Sequence, residues 1–324
     1  MRAVVLPEFG PPGNLAPAEV PDPEPGPGQA LIDVQIVSIT FVETQVRSGR
    51  APNPAMLPRL PAILGNGVGG VVASVGADAD PALIGRRVVT TTGGSGGYAE
   101  RAAVDAAGLI EVPGELNLAD AVALLADGRT ALALVQASGL RSGEIALVEA
   151  AAGGVGSVLV QLARAAGARV VAAAGGPRKV RVARDLGADI AVDYDDPGWA
   201  DRVRAEAGPV DVVFDGVGGP AGAAALGLLR EGGRFCAFGM ASGSFTEFTD
   251  DLTTGRGITV VRGAPVSPAR MRELSAAALA LAAAGTLRPL IGQTFPLERA
   301  ADAHAAIGAR ATVGKTLLLV GTPG

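Results

Sequence analysis

The stretch EIALVEAAAGGVGSVLVQLARAAGARVVAAAGGPRKVRVARDLGADIAVDY, residues 144–194, decides the fold. It opens with an apolar run of strand length, EIALVEA, passes a glycine cluster, and enters VGSVLVQLARAAG, whose apolar residues recur at helical spacing. Two more apolar runs, RVVAAA and IAVDY, flank a second helix-like stretch. Downstream, VDVVFDG, GRFCAFG and ITVVRG repeat the strand pattern, and Ala-rich stretches around 154–166, 177–186 and 219–230 suit helices. Parallel neighbours need a long crossover, usually a helix, so six strands alternating with helices predict a doubly wound parallel α/β sheet.

Upstream the pattern is different. The first hundred residues are dense in Pro and Gly (PPGNLAPAEVPDPEPGPG), with β-rich runs at ALIDVQIVSIT, GVGGVVASVG and RRVVTTT, which predicts a compact all-β domain. Near Leu118 the spacing turns helical in LADAVALLADGRTALALVQAS, and we place a boundary there. After Val261 come a helix-like stretch at 268–284, a short strand PLIGQTF, a helix from Leu297 to Gly308 and a last strand GKTLLLV. The N-terminal β segment is short of helices and this tail has apolar faces without a partner, so the tail is expected to return to it. The expected domains are therefore 1–118 with 262–324, and 119–261. No internal repeat is present.

A chain of 324 residues exceeds the usual single core, in agreement with two domains. Hydrophobic residues make up 48% and charged residues 18%, below the ~25% common in globular proteins, which argues against disorder. A formal net charge of -5 and the lack of a basic run interleaved with aromatics argue against nucleic acid as a partner. One cysteine, Cys236, and one histidine, His304, allow neither an internal disulfide nor a tetrahedral Cys/His metal site; both are expected to be structural, and a reducing cytoplasm is the expected location. The opening MRAVVLP reads as a strand and not as a secretion signal. The most apolar window, Ile145 to Ala163, contains Glu149 and the glycine cluster, so no membrane span is expected.

The glycine cluster carries the chemistry. AAAGGVG, 150–156, leaves a strand and opens a helix, where glycine permits close backbone approach to a pyrophosphate and the helix N-terminus offers unpaired amides and a positive dipole end. Gly153 and Gly156 fit those roles, with Ala150 standing where the common dinucleotide fingerprint has its first glycine; an ordinary Gly-rich turn is the plainer reading. NAD sites place Asp or Glu at the end of the second strand, whereas RVVAAAGG ends in Ala and Gly and is followed by Arg178 and Lys179. With no acid to repel a 2′-phosphate and a cation close by, the cofactor read from these residues is NADPH. Arg178, Lys179 and Arg181 also read as the solvated first turn of a helix.

Taken in order, MRAVVL, SITFVETQVRSG, GGYAERAAV, GRTAL, AAAGGVGSVLVQLARAAGARV, KVRVARDLGADIAVDY, VDVVFDGVGG, GGRFCAFG and ARATVGKTLL resemble the quinone oxidoreductase (zeta-crystallin-like) branch of the zinc-free medium-chain dehydrogenase/reductases, over essentially the whole chain. The resemblance implies a GroES-like β domain completed by the C-terminal tail, a six-stranded Rossmann domain, and a cleft between them. It puts the pyrophosphate at Gly153, Gly154, Val155 and Gly156 and the 2′-phosphate at Lys179 and Tyr194, with Gly175 or Gly176 where a serine is frequent. Thr130 matches a threonine near the nicotinamide, Phe238 and Gly239 match the turn after the fifth strand, and Arg310 matches an arginine reaching the cofactor from the tail. Zinc-dependent relatives carry a cysteine where this chain has Thr40 and a His-Glu pair where it has Gly65 and Asn66, which leaves no ligands for catalytic zinc.

Hydride chemistry asks the protein chiefly to position the acceptor and exclude water. No catalytic acid or base stands out. Thr40 and Gln45, which replace the family's Asn and Tyr, are the candidates in the cleft, Glu43 stands where Asp is usual, and solvent is the expected proton source. The acceptor implied is a quinone or similar conjugated carbonyl. The alternatives are reduction of an enoyl or alkenal double bond, and an NADPH-binding structural or regulatory protein without turnover. Ser242 and Ser244 lack a positioned histidine, which argues against a serine hydrolase. The resemblance also implies a homodimer through edge pairing of the sixth strand near ITVVRG.

Overall fold

In the computed structural model, which describes residues 1–262 and 267–321, strands Ile145–Glu149, Arg169–Ala174, Ile190–Asp193, Val210–Asp215, Leu229–Ala237 and Thr259–Arg262 form one sheet. Every pairing in it is parallel. Counted in chain order the strands lie 3-2-1-4-5-6, the doubly wound arrangement, in which the order reverses between strands one and four. The strands are legible as apolar runs because helices cover both faces: Leu147, Val171, Val192, Val213 and Phe235 lie in one buried cluster.

Helix Gly154–Ala165 leaves the first strand and buries Val158, Leu159, Leu162 and Ala163. Its first turn contains two glycines, each costing about 1 kcal/mol relative to alanine. Burial of each large apolar side chain contributes roughly 1.5–3 kcal/mol, so packing outweighs that cost and fixes the helix where it starts. Two details differ from the sequence reading. Helix Trp199–Ala207 fills the crossover between the third and fourth strands; only Trp199 and Val203, four residues apart, are buried, too sparse a pattern to mark it among charged neighbours. Helix Gly219–Leu226 stops short of residue 230, because Leu229 already pairs with Val210 in the fifth strand before a register shift.

The chain divides into two compact units, Met1–Ala126 with Ser267–Gly324, and Asp127–Val266. In the first, Gln29–Ile39 is the hub: it pairs antiparallel with Gly67–Val75, Arg101–Asp105 and Lys315–Leu319. Ile291–Pro296 runs parallel to Lys315–Leu319, so the C-terminal tail completes this β unit. Its core gathers Leu6, Ile32, Val37, Val68 and Tyr98 with Ala300 and Ala303 of helix Ala300–Gly308. The unit is not all β at its N-terminal end: Phe41–Arg47 is helical, begun by Thr40, whose backbone amide donates to the Glu43 carboxylate at 2.5 Å. No helix among the described residues is long and apolar enough to cross a membrane.

Candidate functional site

The turn after the first strand is tighter than its letters suggest. Ala150 adopts φ 49°, the left-handed region that favours glycine. Gly153 donates its amide to the Ala150 carbonyl at 2.7 Å and precedes the helix with extended backbone. A Cβ on Gly156 would collide with that same carbonyl oxygen and lie 2.8 Å from the carbonyl carbon, which explains the glycine there. A Cβ on Gly154 would meet the carboxylate of Asp127, 2.9 Å from its Cγ. The Asp127 charge in turn acts on Arg129, whose guanidinium is pulled below its ordinary value chiefly by burial. Gly153, Gly154 and Val155 remain partly exposed, and the amides of a helix's first turn have no intrahelical acceptor. Replacing Ala150 by glycine relieves ~1–2 kcal/mol of left-handed strain against ~0.4–1 kcal/mol of added chain entropy in the unfolded state. The variant is expected to be about 0.5–1 kcal/mol more stable, read as a shifted midpoint in urea; a lowered midpoint would refute the assignment of strain.

The ends of the second and third strands meet beside this turn. Ala174 is paired with Asp193, and Tyr194 donates its amide to the Ala174 carbonyl at 3.3 Å. Gly176, at φ 82°, starts helix Pro177–Asp185, which carries Lys179 in its first turn, half-buried. A Cβ on Gly175 would stand 3.0 Å from Cε2 of Tyr194 and 2.9 Å from Oδ2 of Asp195. Gly175, Lys179 and Tyr194 therefore share one corner. Asp193 and Asp195, which the sequence reading passed over, share it too; Asp193 accepts the amides of Gly176 at 2.8 Å and Asp195 at 3.0 Å, which offsets its charge.

Phe238 and Gly239 donate their amides to the Asp215 carbonyl at 2.9 and 3.2 Å and press on Gly216, whose added Cβ would lie 2.7 Å from Cζ of Phe238. The fourth and fifth strands thus end in one closely packed loop pair. Thr130 lies in the interior of helix Leu118–Ser138, so it caps neither end. Thr40, Gln45 and Arg310 belong to the other unit. Arg310 is exposed, at φ 54°, just after helix Ala300–Gly308.

Around Thr40 the structure narrows the chemistry. The Thr40 hydroxyl donates to Oε2 of Glu43 at 2.8 Å, so its proton is committed and its oxygen is left as an acceptor. Gln45 donates its amide to the Thr44 hydroxyl at 3.3 Å. Glu43 is buried and also accepts the Asn66 amide at 3.0 Å. Burial raises its carboxyl, while the Thr40 and Asn66 hydrogen bonds and the Lys315 charge act the other way. Beneath lies a buried pair, with the Tyr98 hydroxyl 2.8 Å from Nε2 of His304. Cys236 is likewise buried, in the fifth strand, and burial pushes its thiol up to about 12.

Burial, with the Arg47 charge adding to it, holds His304 down at about 3. The unfolded chain binds this proton near pH 6.5 and the folded chain does not, so stability is complete above that pH and falls as acid is added. The loss is about 1.4 kcal/mol per pH unit until the folded value is approached. Denaturant midpoints measured from neutral pH downward are expected to decline on that slope, and His304→Gln to remove His304's share of it. An unchanged slope in the variant would mean that other groups drive acid unfolding.

The chain belongs to the medium-chain dehydrogenase/reductase superfamily: residues 26–114 match the alcohol dehydrogenase GroES-like domain and residues 154–280 the zinc-binding dehydrogenase domain. It is similar to the 2-haloacrylate reductase of a Burkholderia species, 32% identical over 330 residues, covering 98% of this chain and 99% of that one. It is also similar to the quinone oxidoreductase of Pseudomonas aeruginosa, 31% identical over 319 residues, covering 96% and 97%. Among solved structures it resembles the Escherichia coli quinone oxidoreductase complexed with NADPH, with a TM-score of 0.90 and 27% identity, over 98% of this chain and 100% of that one.

The zinc in the second domain's description does not fit the residues here. The relevant positions offer a threonine, a glycine and an asparagine. Gly65 has φ 99°, and a Cβ on it would strike the Tyr98 ring and stand 2.8 Å from the Tyr98 amide nitrogen, so a histidine has no room. Among the described residues no group of three His, Cys, Asp or Glu side chains is arranged to hold a metal ion. The Gly153 to Gly156 turn, in contrast, fits a dinucleotide: it leads from a strand into the first turn of a helix, where amides lack intrahelical acceptors, and main chain packs so closely at Gly156 that only glycine is accommodated.

Proposed function

We propose that this chain is an NADPH-dependent oxidoreductase that reduces quinones or similar conjugated carbonyls without a metal. The observation that carries the reading is the Ala150–Gly156 turn at the reversal of strand order, flanked by a corner holding Lys179 and Tyr194 and no acid at the end of the second strand. Its support is the NADPH bound to the similar Escherichia coli enzyme and the quinone oxidoreductase name shared by several relatives.

In this reading Gly153, Gly154, Val155 and Gly156 bind the pyrophosphate, Lys179 and Tyr194 with Gly175 hold the 2′-phosphate, and Thr130, Phe238, Gly239 and Arg310 bind and orient the rest of the dinucleotide. The bound cofactor supplies hydride from its nicotinamide. Thr40 and Gln45 line the acceptor's side of the site: with its proton on Glu43, Thr40 offers an accepting oxygen that suits the N–H of the cofactor's carboxamide and not the acceptor's carbonyl. Water supplies the proton, because Tyr98 is fully buried and Tyr194 is assigned to the phosphate. A homodimer paired along strand Thr259–Arg262, one of the two edge strands of the parallel sheet, and a cytoplasmic setting complete the proposal.

The test is to follow NADPH absorbance with the purified protein and a panel of ortho- and para-quinones, expecting turnover. The 2-haloacrylate reductase relative favours a second reading, reduction of an activated C=C bond, and product masses from enone and haloacrylate incubations separate the two. Tight NADPH binding with no consumption for any acceptor would leave a binding protein without turnover.

A further inference from the structure

Glu149 ends the first strand of the parallel sheet and is fully buried, and no donor reaches either of its carboxyl oxygens. The register that sets Phe214 beside Val148 brings Asp215, also fully buried, beside Glu149. Asp215 is fully furnished with donors. Its Oδ1 accepts the amides of Val217 at 2.8 Å and Gly218 at 2.7 Å, and its Oδ2 accepts the Thr246 hydroxyl at 2.5 Å. Two adjacent carboxylates shut away from water cannot both stay ionised, and the donors are all on Asp215. The proton therefore resides on Glu149, which can then donate to Asp215. Burial first, and the Asp215 charge second, push Glu149 well above the ordinary carboxylate range, in agreement with that placement.

The pair lies under the loops that the proposed function assigns to the cofactor. Glu149 immediately precedes Ala150, and Asp215 immediately precedes Gly216, whose added Cβ would stand 3.5 Å from Cβ of Ala150. Through Thr246, Asp215 also holds the segment after the fifth strand, where Phe238 and Gly239 pack on Gly216. We infer that Glu149 is a positioning residue for the dinucleotide crevice: one proton shared between Glu149 and Asp215 keeps the loops leaving the first, fourth and fifth strands in the arrangement that receives the cofactor. This rests on the dinucleotide-binding reading above.

Among the described residues, the other titrating groups on the elements packed against the pair are engaged elsewhere or kept neutral. Strand Arg169–Ala174 sets Ala173 beside Glu149, and its Arg169 reaches the Glu206 carbonyl. Helix Gly154–Ala165 carries only Arg164, which donates to the Gly187 carbonyl. On the fourth strand Asp211 sits at the opposite end with Arg230, and on the fifth Cys236 is kept a thiol by burial. Helix Leu118–Ser138 brings Asp127 to Gly154, with Arg129 following.

The experiment compares NADPH dissociation constants from about pH 6 to about pH 9.5 for wild type, Glu149→Gln and Glu149→Leu. Gln donates to Asp215 without titrating, and Leu does not donate. Wild type is expected to lose affinity by at least about tenfold more than Glu149→Gln across the alkaline range, while the two agree at neutral pH. Lys179 is the same residue in both proteins, so the difference isolates the pair. Glu149→Leu is expected to bind about tenfold more weakly than wild type at neutral pH, in contrast to Gln. Identical pH profiles for wild type and Gln, or wild-type affinity in Leu, would overturn the inference; should Leu fail to fold, the Gln profile decides. Wild type that binds NADPH at no pH would instead overturn the proposed function.

Discussion

Lys179→Ala is expected to weaken NADPH binding by tenfold to a hundredfold while NADH binding changes by less than about twofold. A charge-assisted hydrogen bond to phosphate contributes roughly 1.5–3 kcal/mol, which converts to that range. The structure favours a selective effect. Lys179 is half-buried in the first turn of its helix, in the corner where Gly175 leaves room beside Tyr194. The helix N-terminus adds a second attraction for the phosphate that the substitution leaves in place. Arg178 and Arg181 flank it but are exposed, where screening leaves less for them to contribute. Fluorescence titration with each cofactor, at fixed salt, measures the two constants. Equal weakening of NADPH and NADH would show that Lys179 supports the fold of the site and does not read the extra phosphate.

Gly156→Ala is expected to cost more. The added methyl would be driven into the Ala150 carbonyl and lie 3.0 Å from Cα of Ala151, so main chain and not a pliable side chain must yield. Overpacking of this kind costs roughly 1–3 kcal/mol of stability. The displaced atoms are those of the turn proposed to bind the pyrophosphate, so affinity for both nicotinamide cofactors should fall by at least about a hundredfold. The cofactor loss should exceed what the lowered stability explains, since the variant stays folded at room temperature. Calorimetry for unfolding and for cofactor binding gives both values; a variant that binds NADPH within threefold of wild type would show that the turn does not hold the pyrophosphate.

The parallel sheet was legible in the sequence because strands buried on both faces must be apolar throughout, and VDVVFDG or RVVAAA admits little else. Helix Trp199–Ala207 was not, since its two inward residues give no stripe. Helix Phe41–Arg47 is too short for a period to show, yet the T-x-x-E spacing of Thr40 and Glu43 is a helix-start signal that was present to be read. That same spacing carries the commitment of the Thr40 proton. For the candidate site, the glycines and Lys179 could be picked out because one segment contains them. The Asp127 carboxylate against Gly154 could not, because the contact joins segments far apart in the chain and aspartate within an Ala-rich helix carries no mark of its purpose. Glu149 and Asp215 fall between these cases: an acid closing each of two apolar runs is an anomaly visible in the letters, but only strand order makes them neighbours.

The glycine at position 65 bears on what this scaffold can be turned into. A designer wishing to seat a metal there would find that His in place of Gly65 must first evict the Tyr98 ring, and that trimming Tyr98 strands the imidazole of His304 in an apolar interior. Any route to a coordinating site through position 65 therefore has to change Tyr98 as well. Packing acts here as a one-way latch on the kind of chemistry the scaffold can acquire.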